Sequence, residues 1–335
     1  MAKLIGNAMF KIWRLLISSF KSRSICTAFP ALVCKPTLFC RDEMAKSIKF
    51  AQLVMVAEHL LFRYSSSTDW SEKQGLKLTI ELGDTYLNYC ISDKSGSEIY
   101  STGLMHSDIE VTASDLAEFL GIPDLSHSFD DVVLVCNTKQ KVLVPSAYHT
   151  REANETVVEA IHGDLCDLAI LEDDVHQWEL HTIYGCNRVL LENFQSRYPH
   201  LRTIHFDSAC LRSLFRKVAE KSSQWVKVFF YPKQITVIAL KEGALQIMQS
   251  FQFDSPQDVI YHLLHVADNY QLDVTAVQME VSGLIDVSSD AWKELQKYFL
   301  DVQLEHNPQL NTEEIEPSST PLHYYTPFLI APSCV

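Results

Sequence analysis

Several groups of residues have the types and spacing that chemistry asks for. Asp258, His262 and His265 stand at i, i+4 and i+7, so on a helix they share a face and offer three metal ligands. The same segment carries Val259, Leu263, Val266 and Tyr270. That apolar stripe must be buried, so the histidines are expected to flank it without a metal. Cys186 with His181 and Asn187 supplies a thiol and a base. Nothing nearby fixes their orientation, and a buried structural cysteine is expected instead. Ser146 with His149, and Asp207 with Ser208, lack a nucleophile-elbow context. The acidic run Glu172-Asp173-Asp174 reads as a solvated turn. No catalytic residue is assigned.

The elements that must position these residues follow from periodicity. Leu76 to Leu82 alternates apolar and polar residues as a half-buried strand does. Tyr86–Ile91 continues after Gly83-Asp84, and the turn at Asp93–Gly96 leads into a hairpin partner over Ser97–Thr102. Thr112 and Asp115 offer cap oxygens to a short helix ending at Gly121. Strands are expected at Asp131–Cys136, Lys141–Val144, Trp178–Tyr184 and Arg202–Phe206, with helices over Glu152–Ile161 and Asn187–Tyr198. A further helix to about Lys221 is expected to be capped by Asp207 or Ser208. From Val226 the order repeats: strands Val226–Tyr231, Gln234–Leu240 and Ala244–Phe253, a helix from Asp254-Ser255-Pro256 to about Tyr270, then the strand Ala276–Val281 and the turn Ser282-Gly283. Two lobes of similar architecture result, 76–222 and 223–304, an internal duplication without visible sequence identity.

Charge divides the chain differently. Residues 1–49 carry nine Lys and Arg against two acids, and the chain total of −14 leaves −21 for the remainder. So acidic a body repels nucleic-acid backbones and anionic membranes, and no nucleic-acid partner is expected. Phe10–Phe20 can form a basic, apolar-faced helix. Its uncharged run Leu15–Phe20 is far shorter than the ~20 residues that cross a bilayer, and no transmembrane segment is expected. Residues 1–70 are read as a basic, poorly ordered extension, with Met44 and Met55 as later candidate starts. Nine cysteines without a CxxC pair fit reduced thiols and a cytoplasmic location. At the other end, 305–335 is read as an acidic loop followed by the apolar stretch Leu322–Ile330, an edge strand for the second sheet or a segment that docks on a partner, docking back on its own lobe being the simpler reading.

Three stretches carry a family resemblance. They are Tyr231-Pro-Lys-Gln-Ile-Thr-Val-Ile238 with Gly243, Ser255-Pro-Gln-Asp-Val-Ile-Tyr261 at the head of a helix reaching Asn269, and Val281-Ser-Gly283 with Leu295-Gln-Lys-Tyr298. Over roughly 76–325 the chain resembles an uncharacterised bacterial family, domain-of-unknown-function family 3822, within the actin-like ATPase (sugar kinase/heat-shock ATPase) superfold. Ile183–Ala219 is also similar to the connecting region of the pilus-assembly ATPase branch. The resemblance implies a two-lobed α/β actin-like ATPase fold with duplicated βββαβαβ lobes and mixed sheets, and relatives that bind partner proteins.

The resemblance also implies where nucleotide would lie. Actin-like ATPases hold the phosphates and magnesium between two hairpins, each with an acid and glycines that let backbone N–H groups approach. In the first lobe Glu81, Gly83, Asp84 and Thr85 match that hairpin in part. In the second, Val228–Gln234 contains neither glycine nor carboxylate, and Pro232 removes a donor. Lys233 remains as a point charge for an anion, and Gly283 as the single glycine at the adenosine end. These six form a vestigial cleft, so no ATP·Mg cofactor and no hydrolysis are expected. The function expected is a non-catalytic protein-binding or scaffold module with an unidentified protein partner, the alternative being a divergent nucleotide-binding ATPase.

Overall fold

Two sheets share the same wiring, and their central strands are buried on both faces, so the strand expected to be half-buried at Leu76–Leu82 buries Lys77, Thr79 and Glu81 as well. The computed structural model describes residues 60–218, 221, 223–305 and 320–334. In the first sheet β2 (Lys77–Gly83), β3 (Tyr86–Ser92) and β4 (Ile99–His106) form an antiparallel meander. The strand β5 (Asp131–Asn137) then joins β2 in parallel, and β9 (Arg202–His205) joins β5. In the second sheet β10 (Gln224–Phe230), β11 (Gln234–Lys241) and β12 (Ala244–Gln252) form the meander, with β13 (Gln278–Gly283) and β14 (Asp301–Leu304) added in parallel. With β1 (Leu60–Ser65) at the edge beside β4, the strand orders are β1-β4-β3-β2-β5-β9 and β12-β11-β10-β13-β14. Apart from β1, each sheet is three antiparallel strands followed by two parallel ones, the latter needing helical crossovers.

Those crossovers carry the helices α1 (Ala113–Leu120), α2 (Asn154–His162) and α3 (Arg188–Arg197), then α5 (Pro256–Asn269) and α6 (Asp290–Tyr298), while α4 (Phe206–Phe215) leads from β9 to β10. Reciprocal capping boxes start two of them, Thr112 with Asp115 on α1 and Ser255 with Asp258 on α5. Helices α5 and α6 bury Val259, Leu263, Val266, Trp292 and Leu295 on the second sheet. In the first lobe the crossover between β5 and β9 is enlarged by a separate sheet in the order β6 (Lys141–Pro145), β8 (Leu180–Asn187), β7 (Leu168–Val175).

Four expectations need correction. Ordered structure begins at β1 (Leu60–Ser65), paired with β4, and not near Leu76. Phe62 and Tyr64 point into the core from that strand, and Trp70 is buried as well. Of the basic extension expected over 1–70, residues 1–59, with the Phe10–Phe20 helix, lie outside the described residues. Glu172-Asp173-Asp174 is not a solvated turn but the end of β7, with Asp173 buried. Neither Asp207 nor Ser208 caps α4. His205 does so, its Nδ1 accepting from the Asp207 N–H at 3.0 Å, and the helix stops at Phe215. The stretch Leu322–Ile330 adds no edge strand. It folds as two 3-10 turns, Leu322–Tyr324 and Thr326–Leu329, with Tyr325, Phe328 and Leu329 buried between the two sheets.

Candidate functional site

The two hairpin ends, β2–β3 and β10–β11, face each other across the lobes and are closed by aromatic side chains. Tyr86 stacks on Tyr231 with centroids 5.1 Å apart and planes 14° from parallel. Phe328 meets both edge-on, at 6.0 Å and 5.6 Å, and Phe206 meets Tyr231 at 5.7 Å. Such edge-to-face and offset contacts are the favoured arrangements for rings. Gly83 serves this packing: a Cβ there would lie 2.1 Å from the Tyr86 ring. The glycine makes room for the phenol.

Glu81 lies buried beneath that stack. Its Oε1 accepts from the Tyr86 hydroxyl at 2.6 Å and from Asn137 Nδ2 at 2.9 Å. Gln234 Nε2 lies 3.5 Å from Asn137 Oδ1 and carries the network into the second lobe. Burial pushes the Glu81 carboxyl up to about 7, against the lowering effect of the Tyr86 and Asn137 hydrogen bonds. The consequence for stability has a definite sign. Below the ordinary value of 4.5 the acid is protonated folded or unfolded. Between about 4.5 and 7 only the native state keeps the proton, so stability falls as pH rises, by roughly 3 kcal/mol when complete. Glu81→Gln is expected to flatten that fall between about pH 5 and pH 8 in urea unfolding. An unchanged slope would show that another group sets it.

The other candidates point elsewhere. Asp84 and Thr85 are half-buried at the hairpin tip. Burial raises the Asp84 carboxyl, with Lys139 opposing, and together with Gly83, Glu110 and Asn187 it lines a cavity of about 80 Å³ within the first lobe. The Thr85 carbonyl accepts from the Ser107 N–H and lies 2.9 Å from His106 Nδ1. Lys233 is exposed, 4.0 Å from Asp254 of its own lobe. Gly283 has φ +90°, and a Cβ there would lie 2.1 Å from the Phe230 carbonyl oxygen. It is needed where β13 turns against β10. Of the six residues, Glu81 and Gly83 belong to the aromatic closure, Asp84 and Thr85 form the turn beside it, and Lys233 and Gly283 stand on the second lobe.

The model of the family described as "Protein of unknown function (DUF3822)" matches residues 65–302. The chain belongs to the DUF3822 family. A comparison with curated proteins finds no match. Among solved structures, the DUF3822 chain is similar to a Bacteroides thetaiotaomicron protein described as having an actin-like ATPase fold and unknown function, with TM-score 0.64 and 18% identity over 73% of this chain and 95% of that one. It is also similar to a chain of a PilM-PilN type IV pilus biogenesis complex, with TM-score 0.52 and 10% identity over 77% and 97%. Likeness at such identity is one of fold, and the DUF3822 chain has the actin-like ATPase fold.

A charged pair of the first lobe that sequence reading missed also reaches the second lobe of this DUF3822 protein. Lys141 Nζ, at the start of β6, bonds the buried Asp207 Oδ2 at 2.5 Å and Ser250 Oγ of β12 at 3.2 Å. Ser250 in turn meets its register partner Thr236 at 3.0 Å. Beside them His205 is fully buried, and burial pushes its imidazole down to about 4. Asp173 Oδ2 accepts the His205 backbone N–H at 2.7 Å. No sequence signal could have linked Lys141 to Asp207, because 66 residues separate them.

The remaining candidates are absorbed by structure. Asp258 is engaged in its capping box, His262 stacks on Phe251 at 4.6 Å, and His265 lies parallel to Tyr261. Cys186 is buried on β8 beside Cys136. Ser146 stands exposed in a 3-10 turn. A second cavity, of about 200 Å³, lies between α4, the second sheet and the C-terminal segment. Its buried Lys227, lowered by burial, is paired with Glu280 and Glu305 of the same chain. Among the described residues no helix is long and apolar enough to cross a membrane.

Proposed function

We propose that this DUF3822 protein is a non-catalytic binding module whose nucleotide site is degenerate and whose lobes grip a protein partner. One observation carries the reading. The Tyr86–Tyr231 stack, with Phe328 against it, occupies the space between the two hairpins that ATPases of this fold keep for phosphates. The carboxylate nearest that space, Glu81, is buried under phenols rather than offered to magnesium. Phosphate binding there would forgo several charge-assisted hydrogen bonds, each worth ~1.5–3 kcal/mol.

For the partner, the best-suited surface is the open edge of β12. An interlobe groove of about 580 Å³ runs along it, lined by Leu143, Trp178, Leu180, Leu245, Ile247 and Met248. An extended segment laid there would gain backbone hydrogen bonds from the strand edge and apolar pockets from both walls. The PilM-PilN complex, a relative in fold, is likewise an assembly of two proteins.

Two measurements test the proposal. A nucleotide present at 100 times its Kd stabilises a protein by ~2.7 kcal/mol. Thermal unfolding with millimolar ATP and Mg²⁺ is expected to match unfolding without them, and a clear upward shift would revive the divergent-ATPase reading. For the partner arm, a protein retained from native lysate by the wild-type chain should be lost with Leu245→Asp. Retention unaffected by that change would move the binding surface away from β12.

A further inference from the structure

The enlarged crossover of the first lobe brings together three side chains that none of the preceding roles uses. His149 follows the 3-10 turn after β6, Glu172 stands on β7 and His181 on β8. In the β7–β8 ladder Glu172 pairs with Ile183 and Asp174 with His181, so Glu172 and His181 are diagonal neighbours on one face. The two imidazoles stack 3.8 Å apart and 9° from parallel. His181 Nδ1 lies 3.1 Å from Glu172 Oε1, and His149 Nε2 lies 3.4 Å from the same oxygen. All three ligand atoms fall within 4.8 Å of one another.

We propose that His149, Glu172 and His181 form a binding site for a zinc-class divalent transition ion. A tetrahedral ion bound at ~2.0–2.1 Å sets its ligand atoms about 3.3 Å apart, close to the two separations observed. Two imidazoles and one carboxylate are a donor set of zinc and its first-row neighbours, whereas calcium and magnesium favour oxygen ligands alone. The surroundings orient the set. Asn154, at the first turn of α2, donates its Nδ2 to Glu172 Oε2 at 2.8 Å. That bond turns its Oδ1 toward His149 Nε2, at 3.2 Å. The amide thus holds the carboxylate so that Oε1 faces the imidazoles, as hydrogen-bond partners of ligating carboxylates do in metal sites. Arg151 stays outside, 3.7 Å from Oε2 and largely exposed. The three ligand side chains are only 12–18% exposed, so the site is sheltered yet reachable from solvent. An ion there ties the β6–α2 connection to the β7–β8 hairpin.

The test uses the full chain, stripped with a chelator and titrated with Zn²⁺ by calorimetry, then with Co²⁺ by absorption. One ion per chain is expected, weakened at least tenfold by His181→Ala and by Glu172→Gln. The Co²⁺ spectrum should lack a thiolate charge-transfer band, which separates this site from the cysteines. Glu172→Gln keeps the side chain's shape, so it discriminates even if His181→Ala does not fold. Absence of a stoichiometric ion, uptake unchanged in the variants, or a thiolate band would each overturn the proposal.

Discussion

Phe328→Ala is expected to lower the unfolding free energy by about 3–5 kcal/mol, the range for truncating a fully buried aromatic side chain. Phe328 is 2% exposed and touches the ring of Phe62 on β1 as well as Tyr86 and Tyr231, so three elements of two lobes lose contacts together. The neighbouring Tyr325 sits edge-on to Phe62 at 4.7 Å and extends the same cluster. Truncation leaves a hole that these rings, held by strands on both sides, can fill only in part. The matched control is Leu300→Ala: Leu300 is 71% exposed, and a change within about 0.5 kcal/mol is expected there. Urea midpoints at constant slope provide the comparison. A cost below about 1 kcal/mol for Phe328→Ala would mean that the C-terminal segment is not an integral part of the core. Even with the hole opened, ATP is expected to leave the variant's melting unchanged, since the second hairpin still lacks glycine and carboxylate.

Breaking the Lys141–Asp207 pair is the second large effect. Both side chains are buried, at 4% and 0% exposure, and removing one partner strands a charge in the interior at a cost of about 3–5 kcal/mol. Lys141→Met and Asp207→Leu are each expected to show that loss in chemical denaturation. The double variant should recover most of it, because two apolar side chains replace two charges whose desolvation was costly. Ser250→Ala, which removes a neutral hydrogen-bond partner of the lysine, should cost only about 1 kcal/mol. If the losses of the two single variants simply add in the double variant, the two groups are not coupled.

Local rules made much of the fold legible. Period-two alternation placed the first strand of the first meander, apolar runs placed the strands of the second, and Thr112 with Asp115 and Asp254-Ser255-Pro256 marked helix starts. Each of those signals involves residues a few positions apart, which is why the chain displays them directly. The strand β1 escaped notice because its alternation follows a long apolar and basic stretch that masks it, and its partner β4 is some forty residues away. Glu172 to Asp174 looked like a turn because three acids together suggest solvent. In the fold Glu172 is held by Asn154 and His181, and Asp173 by a backbone N–H near β9.

By itself the sequence determined the doubled strand-and-helix order, the family likeness and the lack of a glycine-rich, acidic second hairpin. Each depends on residue type and short spacing. Only the tertiary structure decided that phenyl and phenol rings close the space between the hairpins, that Lys141 finds Asp207, and that His149 and His181 converge on Glu172. Those meetings depend on where distant strands and the returning C-terminal segment come to rest, and burial then fixes what each charge must do: be neutral, be paired or be held by a neighbour.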